Sequence, residues 1–226
     1  MNSRPKLNSA LAVLATALFT PELVAQTLNW GNTINPEGIP GFTEMSYDSH
    51  AVAIDQTGTT FTFELGVFTG GFAPDDSNVD MWGLNWQPLQ ATTYSPTLNY
   101  FTAGYELVAA DASLEGSRGY IWVYNNTAGD ETSEWFLATG EIEADLTPSD
   151  NNWLIPKYED TLNFPYNWRL STANTPVWGG LNSVPSIYGI QNVDPVLYEL
   201  QTFAVPEPSA TGLVLLGTLL LMRRRR

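Results

Sequence analysis

The chain has 226 residues, no cysteine, and 24 acidic against 9 basic side chains. Without thiols it can form no disulfide, no thiolate metal centre and no cysteine nucleophile. Its acidity disfavours nucleic acid and anionic membranes, and leaves cations, or glycans bridged by cations, as charge-compatible partners.

At the N-terminus, Arg4 and Lys6 precede a short apolar run at residues 10–19, and Ala25 stands where a signal peptidase would cut. This is the pattern of a secretory signal peptide, assigned to residues 1–25. A body of about 180 residues follows, taken as 26–204, the size of one domain with a real core. Its only basic residues are Arg118, Lys157 and Arg169, against 22 carboxylates, or 23 with Glu207 just beyond it, a charge of about −20. Such a charge also keeps a protein soluble without any partner.

Along the body the texture is β. Phe61, Phe63, Leu65 and Val67 alternate with Thr60, Thr62, Glu64 and Gly66, a period of two. Further strands are expected at 49–55, 97–101, 105–109, 119–124, 134–139, 187–190 and 196–204. Trp82 and Trp86, four apart, would share one strand face. Turn signals separate the segments, among them Gly70-Gly71, Pro74-Asp75-Asp76, Asn125-Asn126 and Pro148-Ser149-Asp150. Residues 103–115 fit either a strand or a helical turn. Residues 147–182 show no period and read as a long ordered loop packed by its tryptophans, with strand pieces near Trp153 and Trp168. The expected fold is all-β, an antiparallel two-sheet sandwich of jelly-roll-like form.

Four constellations could carry chemistry. In 119–124, Ile121 and Val123 point to one face while Trp122 and Tyr124 point to the other. If the aliphatic pair faces the core, Trp122 and Tyr124 form an outer aromatic platform for a sugar ring. Asp75, Asp76, Asn78 and Asp80 place oxygens at calcium-loop spacing, but Met81 and Gln87 stand where an EF-hand needs glycine and glutamate, so any calcium site there is irregular. His50 is the chain's only histidine, and no Gly-x-Ser-x-Gly elbow accompanies it. Glu141, Glu143 and Asp145 would project from one face of an extended segment and could serve a glycosidase. They partly resemble the Glu-x-Asp-x-x-Glu strand of sandwich-fold glucan hydrolases: Glu143 and Asp145 match, but the third acid falls on Pro148.

The C-terminal segment reads Val205-Pro206-Glu207-Pro208-Ser209, then an apolar run at 210–222, then Arg223, Arg224, Arg225 and Arg226. Proline keeps the first part out of helix and central strand, the run can enter a bilayer, and the arginines stay on the cytoplasmic side. Thirteen helical residues reach about 20 Å, short of a hydrocarbon core of roughly 30 Å, which suits a transient anchor better than a permanent one. Together these elements resemble the PEP-CTERM sorting signal of Gram-negative bacteria, with Pro206-Glu207-Pro208 as its tripeptide. The resemblance implies export, transient anchoring in the inner membrane, tail removal by an exosortase-type membrane protease, and delivery to the cell surface or extracellular polysaccharide matrix. A non-enzymatic surface or matrix protein is therefore expected, with a secreted carbohydrate-active hydrolase as the alternative.

Overall fold

Short runs of β-prone residues bounded by turns, alternating with polar residues at 62–67, yield the longest strands, and these pair antiparallel. The computed structural model describes residues 25–32, 46–96, 100–130, 132–144, 146–159, 164–181, 184–185 and 199–205. Residues 1–24 of the expected signal peptide, 206–226 of the expected sorting tail, Asp145 and the expected strand 187–190 lie outside the described residues.

In chain order the described strands are β1 (Thr27–Gly31), β2 (Ser46–Tyr47), β3 (Thr62–Phe68), β4 (Trp86–Thr92), β5 (Thr102–Glu106), β6 (Gly119–Tyr124) and β7 (Glu134–Thr139). After these come β8 (Tyr166–Arg169), β9 (Thr175–Trp178), β10 (Gly180–Leu181), β11 (Val184–Pro185), β12 (Leu200–Gln201) and β13 (Phe203–Ala204). A single turn of helix, α1 (Trp82–Asn85), precedes β4.

The protein is mostly β, built on antiparallel sheets. The largest sheet has the order β13-β7-β6-β3-β4, with β9 on the same edge of β7 as β13. A second sheet, β5-β1-β8, and a third, β11-β10-β12-β2, each contain one parallel pair: β1 with β8, and β12 with β2. The chain leaves the third sheet for the largest one at Thr202, whose N–H donates to the Tyr47 carbonyl at 2.9 Å.

Both faces of the largest sheet are covered. On one, Phe63, Leu65, Val67, Ile121, Val123, Phe136 and Ala138 share a core with Leu28 and Trp30 of β1 and Trp168 of β8. On the other, Phe68, Tyr120, Trp122, Trp135 and Leu137 pack with Trp82, Trp178 and Phe203. This second layer is almost wholly aromatic. Trp82 stacks on Trp135 at 5.3 Å, and Trp122 meets Trp135 edge-on at 5.1 Å and Trp86 at 5.3 Å. Gly66 makes room for this layer, because a Cβ there would stand 2.5 Å from the Trp86 ring.

Several expected elements differ. Strand 49–55 is instead a turn followed by a 3-10 helix at Ile54–Gln56. The Asp48 carboxylate takes the N–H groups of His50 and Val52, at 2.8 and 2.7 Å, which a ladder would otherwise use. Trp82 and Trp86 do not share a strand: Trp82 opens α1 and Trp86 opens β4, though both rings join the aromatic layer. Strand 105–109 ends at Glu106 and gives way to a 3-10 helix, Ala109–Leu114, because Asp111 accepts the Val108 N–H at 2.9 Å and the Tyr105 hydroxyl at 2.8 Å. The expected loop 147–182 contains β8, β9 and β10, held by partners distant in sequence rather than by a local period.

Half-buried tyrosines set an alkaline limit. Burial pushes the Tyr94 phenol up to about 12, with Asp55 adding to it. Tyr105 also rises to about 12, first by burial and then through its hydrogen bond to Asp111. These folded values lie above the ordinary value of about 10. Their contribution is therefore full below pH 10 and is lost as pH climbs to 12. Circular dichroism and tyrosinate absorbance at 295 nm, followed together, should show unfolding and the late tyrosine ionisation coinciding between pH 10 and 12. Complete ionisation near pH 10 with the fold intact would contradict this.

Candidate functional site

At the head of β6 the structure forms a half-open cleft of about 420 Å³. One wall comes from the turn after β3. Gly70 and Gly71 have φ of 66° and 73°, and Phe72 N–H donates to the Thr69 carbonyl at 3.1 Å. Two consecutive positive φ values are the signature of a tight turn that side-chain-bearing residues resist. The turn folds Phe72 back over Phe68, with ring centroids 5.5 Å apart.

The other wall is Arg118 and Tyr120. Tyr120 is 9% exposed and sets its ring edge-on against Phe68 at 5.3 Å. Burial raises its phenol above the ordinary value, with Arg118 opposing, so the hydroxyl keeps its proton at neutral pH. Among the described residues the Tyr120 hydroxyl has no hydrogen-bond partner. The Arg118 guanidinium donates Nη1 to the Glu141 carbonyl at 3.1 Å and Nη2 to Asn152 Oδ1 at 3.5 Å. Among the described carboxylates none lies within 4.0 Å of it, whereas Lys157 pairs with Glu115 at 3.5 Å. Gln87 and Ser117 add polar groups to the lining. Apolar ring faces with a few convergent donors, in a volume of this size, suit a ligand as large as a sugar ring.

A second cluster joins Asp48, His50 and Glu134, whose ligand atoms lie within 4.8 Å of one another. Glu134 is its hub: it accepts the Ser49 N–H at 3.2 Å, the Ser49 hydroxyl at 2.8 Å and the Thr202 hydroxyl at 3.1 Å. His50 is exposed, with Nδ1 3.1 Å from Ser49 Oγ and 3.7 Å from Glu134. Ala51 completes the loop at φ 64°. A hydrolytic triad needs the hydroxyl on one imidazole nitrogen and the acid on the other. Here both stand on Nδ1, and the serine proton is committed to Glu134. One imidazole and two carboxylates can instead serve as ligands for a first-row divalent cation.

The sites expected from sequence fare differently. Trp122 is 0% exposed, enclosed by Trp82, Trp86 and Trp135, and presents no face to a ligand. The outer platform is therefore corrected: that sheet face is a second core. Tyr124 lies half-buried at its margin, 4.8 Å from the Trp122 ring, and its phenol is raised by burial and then by Glu64.

Asp75, Asp76, Asn78 and Asp80 form a turn. Asp75 Oδ1 accepts the Ser77 N–H and hydroxyl at 2.9 and 2.6 Å. Asn78 Oδ1 accepts the Asp75 N–H at 2.9 Å and the Trp82 indole at 2.8 Å. The three aspartates do not gather within 4.8 Å of one another, as Asp48, His50 and Glu134 do. Asn78 thus serves the aromatic layer.

Glu141 and Glu143 are exposed and lie beyond the end of β7, not on a strand. Val205 is 2% exposed and donates its N–H to the Ser133 carbonyl at 2.8 Å. Sequence reasoning missed the cleft. Its available signal was Arg118, one of three cations in the body, two residues before a tyrosine on the same strand face as Trp122.

Compared with known protein families, curated proteins and solved structures, the chain matches none.

Proposed function

We propose that this chain is an exported, non-enzymatic protein of the surface or extracellular matrix of a Gram-negative bacterium. A signal peptide at 1–25 delivers it. A PEP-CTERM-type tail, Val205 to Ser209 with the run 210–222 and Arg223 to Arg226, sorts it through an exosortase-type protease after transient anchoring in the inner membrane. The freed body contacts extracellular polysaccharide. The observation that supports this reading is that Val205, the residue before Pro206-Glu207-Pro208, is buried and hydrogen-bonded to Ser133, so the folded body extends up to the tripeptide. The cleft beside Arg118 supports the polysaccharide contact by its size and its aromatic walls. The body is taken as a jelly-roll-like sandwich of two principal layers, in line with the core shared by the largest sheet and β5-β1-β8. The hydrolase alternative through Glu141, Glu143 and Asp145 has less support, since the two described acids are exposed and off any strand.

The test is fractionation of the full chain expressed in an exosortase-bearing host and in the same host lacking that protease. A shortened, released form is expected in the first and a membrane-retained full-length form in the second. Alanine at Pro206, Glu207 and Pro208 together should reproduce the second pattern in the first host. Equal release from both hosts would refute sorting.

A further inference from the structure

Three features of the cleft at the head of β6 suit an anionic ligand. Arg118 holds a cation free of any described carboxylate in a strongly acidic body, although 22 acids of that body compete for it. Its two hydrogen bonds go to neutral acceptors, the Glu141 carbonyl and Asn152, which fix the side chain without neutralising it. The Tyr120 hydroxyl, on a side chain nine-tenths buried, faces the cleft with no hydrogen-bond partner among the described residues. The hydroxyl is not among the enclosed, unsatisfied atoms, so its tip reaches the open side of the cleft and can donate to a ligand acceptor.

We propose that this cleft recognises a carboxylate-bearing sugar, a hexuronate residue of an acidic glycan, with Arg118 taking the carboxylate, Tyr120 donating to it or to a ring oxygen, and Phe72 packing on the sugar face. The proposal rests on the polysaccharide contact above and names its sugar class. A guanidinium fork matches a planar carboxylate by two parallel N–H groups, which a neutral sugar cannot engage. The flat aromatic wall suits the C–H face of a pyranose. The body's acidity does not forbid this. At physiological salt the Debye length is about 8 Å, so distant carboxylates are largely screened while Arg118 is in contact. Phe72 is positioned by the Gly70-Gly71 turn, so the wall is set before a ligand arrives.

The full chain in mild detergent is titrated by calorimetry with trigalacturonate and triglucuronate, with their methyl esters, and with a neutral glucan oligosaccharide. At least one acid is expected to bind tenfold or more tightly than its ester, a comparison that needs no variant. Arg118→Gln should erase that difference, Arg118→Lys should keep only part of it, and Tyr120→Phe should weaken the acid three- to tenfold. Near-UV circular dichroism confirms the fold of each variant. Equal binding of acid, ester and glucan, or an unchanged acid affinity in Arg118→Gln, overturns the uronate assignment while leaving the polysaccharide contact standing. Binding of none of these overturns both.

Discussion

Trp122→Ala is expected to lower unfolding stability by about 3–5 kcal/mol, the cost of emptying a large buried aromatic site. Domain stabilities run to only about 5–15 kcal/mol, so this variant should stand at the edge of folding. The reason lies in its neighbours: Trp122 touches Trp82, Trp86, Trp135 and Tyr124, each at a ring-centroid distance of 6.0 Å or less. Aromatic pairs of this kind add about 0.5–1.5 kcal/mol each beyond area burial. Trp122→Phe should cost much less. The other seven indole N–H groups have acceptors, such as Gln90 for Trp30 and Asn126 for Trp135, whereas the Trp122 N–H has none among the described residues. Phenylalanine therefore gives up ring area but no hydrogen bond. Urea midpoints for the two variants measure the contrast. A loss under 1 kcal/mol in Trp122→Ala would mean the second aromatic layer is not packed as described.

Glu134→Ala is expected to cost about 2–3 kcal/mol, because it strands two hydroxyl donors and one backbone N–H that now share one carboxylate. Its side chain is only 17% exposed, so water replaces those bonds incompletely. The loss should also be local. Glu134 ties the loop around His50 to β7 and to Thr202, where the chain changes sheets. Limited proteolysis should therefore cut the Asp48–Val52 loop far faster in Glu134→Ala than in the parent. Glu134→Gln retains an acceptor for Ser49 and should fall between them. Uniform resistance of that loop in all three proteins would remove Glu134 from its role as a tie.

Strand β3 was legible from its alternation, and β6 and β7 from short runs of β-prone apolar residues bounded by turn signals. The parity of β6 was legible too: Ile121 and Val123 do face the main core, and Trp122 and Tyr124 do face away. What local pattern cannot tell is whether the far face is covered. The cover comes from Trp82, Trp178 and Phe203, which lie 40 or more residues from Trp122 and none of which belongs to an adjacent strand. The strand expected at 49–55 failed for a different reason. Its β-prone residues are overruled by one aspartate whose side chain captures two backbone donors. Asn78 illustrates the same limit at a site. Oxygen spacing suggested a cation, but the oxygen is spent on an indole N–H. The cleft was hidden because it needs Phe72 and Tyr120, brought together only when β3 and β6 pair.

Two parallel pairs join the margins of the body: β1 at residue 27 lies beside β8, and β2 beside β12 at residue 201. Parallel partners cannot be neighbours in sequence, and here each pair spans well over a hundred residues. The second strand, β2, thus waits for a mate that is among the last to be made, whereas β1 can already pair with β5. An order of assembly follows: β3, β6 and β7 can pair early, and the rim where β2 meets β12 closes only when nearly the whole chain is present.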